Sequence, residues 1–212
     1  MTMNANSLHL YAITDRHWLN GRTLASQVRE VLEGGATIVQ LREKSLSDAE
    51  FLAEAREIKG VCDAFGVPLI INDRVAIARE VGAGVHLGQG DMALREARKM
   101  LGTEAIVGVS CKTVAQALEA EANGADYLGV GAVFPTSTKT DTRTIERATL
   151  VEICKAVKIP VVAIGGITLQ NANELVGTGV AGIAVISALF GATSPRAAAQ
   201  AFGSLELGTR GF

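Results

Sequence analysis

The chain has 212 residues and a mass of 22.1 kDa, which suits one domain spanning 1–212. At 48% hydrophobic and 20% charged it can build a large core, which excludes a disordered chain. Its net charge of -2, from 20 Lys+Arg and 22 Asp+Glu, lacks the basic excess of a nucleic-acid binder. No apolar run reaches the roughly 18 residues of a membrane span, and Met1–Ser7 has no apolar signal core. A cytoplasmic protein with neither nucleic-acid nor membrane partners is expected; a homo-oligomer is compatible with the sequence.

In chain order, short β-branched runs alternate with longer stretches of helical period. The apolar runs are Leu8–Ile13, Ala36–Leu41, Val67–Ile71, Gly84–Leu87, Ala105–Val109, Asp126–Val130, Ile159–Ile164 and Gly182–Ile186. Several are apolar at consecutive positions, as parallel strands buried on both faces are. Between them, Leu24–Leu32, Asp48–Phe65, Val114–Ala122 and Thr149–Val157 carry apolar stripes at helical spacing, and Arg196–Phe202 reads as a last helix. Ser47 and Glu50 have the spacing of a capping box. Glu33-Gly-Gly-Ala, Glu80-Val-Gly-Ala, Ala122-Asn-Gly-Ala and Gly177-Thr-Gly-Val repeat one idea: a left-handed glycine ends a helix and the chain enters the next strand. Eight strands with intervening crossovers predict a single (β/α)8 TIM barrel, with loose tails at 1–7 and 206–212. The competing doubly wound sheet would carry a glycine-rich loop after the first strand, where this chain has Thr14-Asp15-Arg16.

In such a barrel, chemistry sits at the carboxyl ends of the strands. Gln40, Arg42 and Lys44 alternate, so in extended backbone they share a face, and two cations on one face suit an anion. The third run ends in Asn72-Asp73-Arg74 and the fourth in Gly88-Gln-Gly-Asp91. Alone, each Asp could simply cap a helix. Together, beside Arg42 and Lys44, they suit one Mg²⁺, which takes one or two carboxylates plus phosphate and water oxygens. Ser110 follows the fifth run, with Cys111 beside it read as structural. Phe134–Arg143 is a long polar loop with Thr136, Ser137, Thr138 and Lys139, suited to phosphate or to a lid. Gly165-Gly166 and Ile186-Ser187 end the last two runs, where backbone N–H groups commonly hold phosphate. The cysteines, Cys62, Cys111 and Cys154, lack metal or disulfide spacing. The histidines are scattered, and none follows a strand where a general base would be needed. Two poles result: Arg42, Lys44, Asp73, Asp91 and Lys139 for a diphosphate, and Thr136, Thr138, Gly166 and Ser187 for a phosphomonoester. Chemistry that depends on stabilising a leaving group is favoured over proton abstraction.

The strings YAITDR, VQLREK, IINDRVAIA, GVHLGQGD, GVSCKT, GADYLGVGAVFPTSTKTD, AIGGI and GIAVIS, in order over roughly residues 11–187, resemble the thiamine-phosphate synthase family. The resemblance implies a transferase that joins a hydroxymethylpyrimidine diphosphate to a thiazole phosphate and releases pyrophosphate. It implies that Gln40, Leu41, Arg42, Glu43, Lys44, Asn72, Ser110 and Lys139 hold the pyrimidine diphosphate, with Arg42, Lys44, Ser110 and Lys139 catalytic. Asp73 and Asp91 would ligate one Mg²⁺. Thr136, Ser137, Thr138, Gly166, Ile186 and Ser187 would hold the thiazole phosphate. Ala132, Thr140 and Arg143 depart from the family's usual loop residues at positions with no charged ligand role. A thiazole tautomerase on the same barrel would need no diphosphate pole, and a non-catalytic phosphate-binding regulator would need neither the cations nor the acid pair. An isomerase of phosphorylated sugars would need an acid and a base at strand ends.

Overall fold

A computed structural model describes residues 5–136 and 144–207. Its framework is a closed barrel of eight parallel strands in sequential order: β1 (Leu10–Ile13), β2 (Ile38–Leu41), β3 (Leu69–Asn72), β4 (Gly84–Leu87), β5 (Val107–Cys111), β6 (Tyr127–Gly131), β7 (Val161–Ile164) and β8 (Gly182–Val185). The last strand pairs with the first, Leu10 beside Ile183, so no edge is left open. The helices are α1 (Leu24–Glu33), α2 (Asp48–Phe65), α3 (Val75–Val81), α4 (Leu94–Leu101), α5 (Val114–Ala122), α6 (Arg147–Ala156), α7 (Ser187–Phe190) and α8 (Pro195–Gly203). This is the expected (β/α)8 TIM barrel.

Alternation along each strand divides the apolar residues into two cores. Odd positions of β2 and β3, such as Val39, Leu41, Leu69 and Ile71, pack outward beneath the helices. Even positions, such as Ile38 and Ile70, pack inward with Tyr11, Tyr127 and Val162 to fill the barrel's lower half. Tyr127 fits because Gly108 lies beside it in register; a Cβ there would stand 2.0 Å from the ring. Higher up, the inward positions turn polar: Gln40, Asn72, His86 and Ser110.

Several boundaries move from the expected ones for identifiable reasons. The third and seventh runs contain Pro68 and Pro160, which cannot donate to a ladder; those strands start one residue later. The fifth strand runs on through Ser110 and Cys111, so Ser110 is an inward strand residue. The connection between β7 and β8 is only a 3-10 turn, Ala172–Leu175, in a segment rich in Asn and Gly. α3 and α4 are short and were not foreseen. Elsewhere local signals hold. Ser47 and Glu50 form the reciprocal capping box of α2, in which the Glu50 carboxylate accepts from the Ser47 N–H at 2.9 Å. Such caps contribute about 1 kcal/mol. Gly35, Gly82, Gly124 and Gly177 all have positive φ where a helix or turn ends. Of the expected loose tails, 1–4 and 208–212 lie outside the described residues. Ala5–Leu8 forms a 3-10 turn, with Leu8 in the inner core, and Leu207 is buried in the outer one. No helix among the described residues is long and apolar enough to cross a membrane.

Candidate active site

The carboxyl ends of the strands surround a cavity of about 580 Å³. Gln40, Arg42, Lys44, Asn72, Asp73, Asp91, Ser110, Thr136 and Ile186 line it, so the structure brings these sequence candidates together. Two others are turned away by the same alternation that points their neighbours inward. Leu41 is buried in the outer core. Glu43 lies 3.2 Å from the Arg16 guanidinium, beneath which its carboxylate is almost fully buried. Burial pushes its pKa up, against the pull of Arg16. Their expected role as ligands of the diphosphate is therefore corrected for the side chains: both belong to the scaffold. Gly166 and Ser187 each lie one residue past a lining residue, Gly165 and Ile186. Ser137, Thr138 and Lys139 lie outside the described residues.

Thr14 sets the exit of β2. Its N–H donates to the Gln40 carbonyl at 2.9 Å and its hydroxyl accepts from the Arg42 N–H at 3.0 Å. This extends the β1–β2 ladder far enough to hold Arg42 over the cavity. Lys44 Nζ donates to Asp73 Oδ2 at 2.8 Å. Asp73 has φ +62, in the left-handed region that Asp tolerates better than most residues. Its N–H still donates to the His86 carbonyl at 3.0 Å, so the turn is fixed at the β4 edge. Asp91 Oδ2 accepts from the Gly88 N–H at 2.6 Å, which folds the β4 loop back toward Asp73. The two carboxyls lie close enough to perturb each other's titration. Burial raises both, but Lys44, together with the Asp91 and Asn72 hydrogen bonds, brings Asp73 below the usual range. Burial and the neighbouring Asp73 hold Asp91 above it. The two carboxyls are thus driven apart, Asp73 toward the ionised form and Asp91 toward the protonated one. The donor set fits Mg²⁺, since two carboxylates leave the remaining positions for phosphate and water oxygens.

On the other side the wall is apolar or backbone: Gly129, Gly131, Ala132, Val162, Ile164, Gly165 and Ala184. Gly166 has φ +66, and a Cβ there would stand 2.3 Å from the Pro135 carbonyl, so the β7 and β6 loops touch only because it has no side chain. Cys111 also borders the cavity, but burial pushes its thiol to about 12, which removes it as a nucleophile.

Residues inside the strands, not at their ends, build the cavity floor. The buried Tyr11 and Tyr127 and the half-buried His86 form a polar line there. Tyr11 and Tyr127 hydroxyls lie 2.8 Å apart, and the His86 ring bridges Tyr127 at 2.9 Å and Ser110 at 2.9 Å. The signal for them in the sequence is alternation. Gly84-Val-His-Leu87 places His86 on the inward face within the strand, not just past a strand end where a general base is expected.

A closed parallel barrel whose mouth collects cations, paired carboxylates and a glycine-rich wall defines an enzyme of phosphorylated small molecules. The comparisons narrow the class. Residues 10–189 match the family described as thiamine monophosphate synthase, and the chain belongs to that family, a family of transferases. It is 50% identical over 184 residues to the thiamine-phosphate synthase of Clostridium acetobutylicum, covering 86% of this chain and 87% of that one. It is 46% identical over 201 residues to thiamine-phosphate synthase 2 of Streptococcus pneumoniae, covering 94% and 96%. Among solved structures, the thiamine phosphate pyrophosphorylase of Pyrococcus furiosus superposes with a TM-score of 0.86 at 43% identity, covering 93% of this chain and 95% of that one.

Proposed function

We propose that the chain condenses 4-amino-2-methyl-5-(diphosphooxymethyl)pyrimidine with a thiazole phosphate, giving thiamine phosphate and pyrophosphate. One observation carries this reading: Arg42, Lys44, Asp73 and Asp91 face the glycine-rich wall across a single cavity. Arg42 and Lys44 bind the diphosphate, and Lys44 exchanges its bond to Asp73 for a phosphate oxygen as substrate enters. Asp73 and Asp91 would hold one Mg²⁺, which when bound neutralises charge on the departing pyrophosphate. The chain's own contribution is orientation and exclusion of water. Gln40, Asn72 and Ser110 hold the pyrimidine ring. The apolar residues Ile13, Val162, Ile164 and Ala184 shield the methylene carbon as its bond to oxygen breaks. Thr136, Gly166, Ile186 and Ser187, with Ser137 and Thr138, hold the thiazole phosphate so that its ring nitrogen meets that carbon, and Lys139 is assigned the task of stabilising the leaving group. No general base is required, because the attacking nitrogen carries no proton to remove. The reaction belongs in the cytoplasm; the three buried cysteine thiols suit a reducing compartment.

The test is to incubate the protein with both substrates, with magnesium or with a chelator, and follow both products. Equimolar pyrophosphate and thiamine phosphate, lost on chelation, is the expected result. Pyrophosphate without thiamine phosphate, or neither product, overturns the reading.

A further inference from the structure

We propose that His86 is a positioning residue: it joins Ser110 to Gln40 through a chain of hydrogen bonds, so that these two side chains always offer the cavity one hydrogen donor and one acceptor. The chain runs across the barrel floor. Gln40 Nε2 donates to the Tyr11 hydroxyl at 2.7 Å, Tyr11 and Tyr127 share a bond at 2.8 Å, and His86 links Tyr127 to Ser110.

With His86 neutral, each inner member has a fixed number of hydrogens, and the order of protons follows from one end. Gln40 donates to Tyr11, which leaves the Tyr11 hydrogen for Tyr127. Tyr127 then donates to His86 Nδ1. A neutral His86 carries its hydrogen on Nε2 and donates it to Ser110 Oγ. The Ser110 hydrogen is released toward the cavity, and the Gln40 carbonyl is the amide's remaining group there. Turning the Gln40 amide over reverses every bond: the amide NH₂ then faces the cavity, and Ser110 gives its hydrogen to His86 and presents a lone pair. The two ends cannot be set independently. Both tyrosines keep their hydrogens, because burial raises their pKa values far above neutrality. A flat heteroaromatic ring with a ring nitrogen and an exocyclic amine matches such a pair of groups, and this part of the inference rests on the function proposed above. The order of protons does not depend on it.

The test reads the His86 tautomer by NMR on protein labelled with ¹⁵N-histidine. The chain has three histidines, so a His86→Asn variant assigns the signal. The ligand-free protein should show one neutral tautomer with hydrogen on Nε2. Gln40→Glu, at about pH 8 where a carboxylate is ionised and only accepts, should move that hydrogen to Nδ1 across three intervening hydrogen bonds. In a Tyr11→Phe background the same change should leave the signal where Tyr11→Phe alone puts it. An averaged His86 in the parent protein, or an unmoved tautomer in Gln40→Glu, overturns the proposal. Should Gln40→Glu fail to fold, Tyr127→Phe serves: it should release His86 from its single tautomer, and an unchanged signal overturns the proposal. In turnover, Tyr127→Phe should raise KM for the pyrimidine diphosphate about 10-fold with little change in kcat, and Ser110→Ala should then cost less than it does alone. A normal KM in Tyr127→Phe overturns the positioning role. An enzyme that never condenses the two substrates instead removes the proposed function and leaves the tautomer result standing.

Discussion

The two walls of the cavity are built in opposite ways. Among the described residues, every charged side chain that lines it comes from the ends of β2 to β5: Arg42, Lys44, Asp73, Asp91 and Lys112. The wall from β6 to β8 contributes glycines, aliphatic residues and Thr136. The first wall supplies long side chains whose charge can follow a diphosphate and a cation. The second supplies a surface from which side chains have been removed, so that backbone N–H groups come close to a ligand. Charge is needed where charge changes during reaction, and shape where a phosphate is only held. Substitutions in the two walls should therefore fail in different ways.

The largest effect belongs to the charged wall. Arg42→Ala should lower kcat/KM for the pyrimidine diphosphate by about 10²–10³-fold, the cost of losing one well-placed charge in a sheltered site. Its KM for the thiazole phosphate should stay within about twofold, and its Tm should hardly move, since the side chain points into the cavity. Steady-state kinetics with each substrate varied in turn decides the matter. Equal losses toward both substrates would erase the distinction between the walls.

Gly166→Ala tests the other wall. The new methyl would meet the Pro135 carbonyl at 2.3 Å and the Phe134 carbonyl at 2.8 Å, at φ +66. Strain of this kind costs about 1–3 kcal/mol. Part should appear as a lower Tm and part as a KM for the thiazole phosphate raised about 10-fold, with the pyrimidine KM unchanged. A variant that binds the thiazole phosphate normally would show that this wall does not hold it.

How much of this was legible in the sequence follows from the same contrast. Arg42, Lys44, Asp73 and Asp91 announce themselves, since charged residues just past apolar runs have few structural uses. The fold was legible too, because the strands are consecutively apolar and the connections carry caps. Glycine and alanine in the second wall look like any buried small residue until the backbone is seen. His86 and the two tyrosines were missed for another reason. Each sits inside an apolar run, and only the inward or outward sense of the strand distinguishes a core side chain from one on the cavity floor. Leu41 and Glu43 are the reverse error: their neighbours in sequence face the cavity, and they do not.

A smaller and continuous effect comes from the carboxyl pair. Without a cation the Asp91 pKa is raised, so protonation of Asp91 favours the fold at low pH, and that contribution is lost as pH rises through the raised value. A cation needs both groups ionised and expels the proton. Apparent magnesium affinity should therefore fall by up to about tenfold per pH unit below the Asp91 pKa, at a higher pH than for an ordinary aspartate. The rise in Tm on adding magnesium, measured across pH, should grow with pH and level off. A magnesium shift independent of pH through the acidic range would show that the proton is not displaced. Asp91→Asn should flatten the profile and weaken the response throughout.

The smallest effect separates adjacent residues of one strand. Ser110 faces the cavity floor, while Cys111 packs in the outer core with 1% exposure. With its thiol at about 12, roughly one part in 10⁵ would be thiolate at pH 7. Iodoacetamide should therefore modify Cys111 in the folded protein far more slowly than after denaturation. Cys111→Ala should keep kcat/KM within about twofold, losing only the packing of one sulfur in a core position, about 1 kcal/mol of stability. Ser110→Ala removes the Oγ that His86 bonds at 2.9 Å, so in contrast it should act on turnover. If Cys111→Ala instead lost activity while keeping its Tm, the strand would present its other face to substrate, and the division between scaffold and floor along β5 would be wrong.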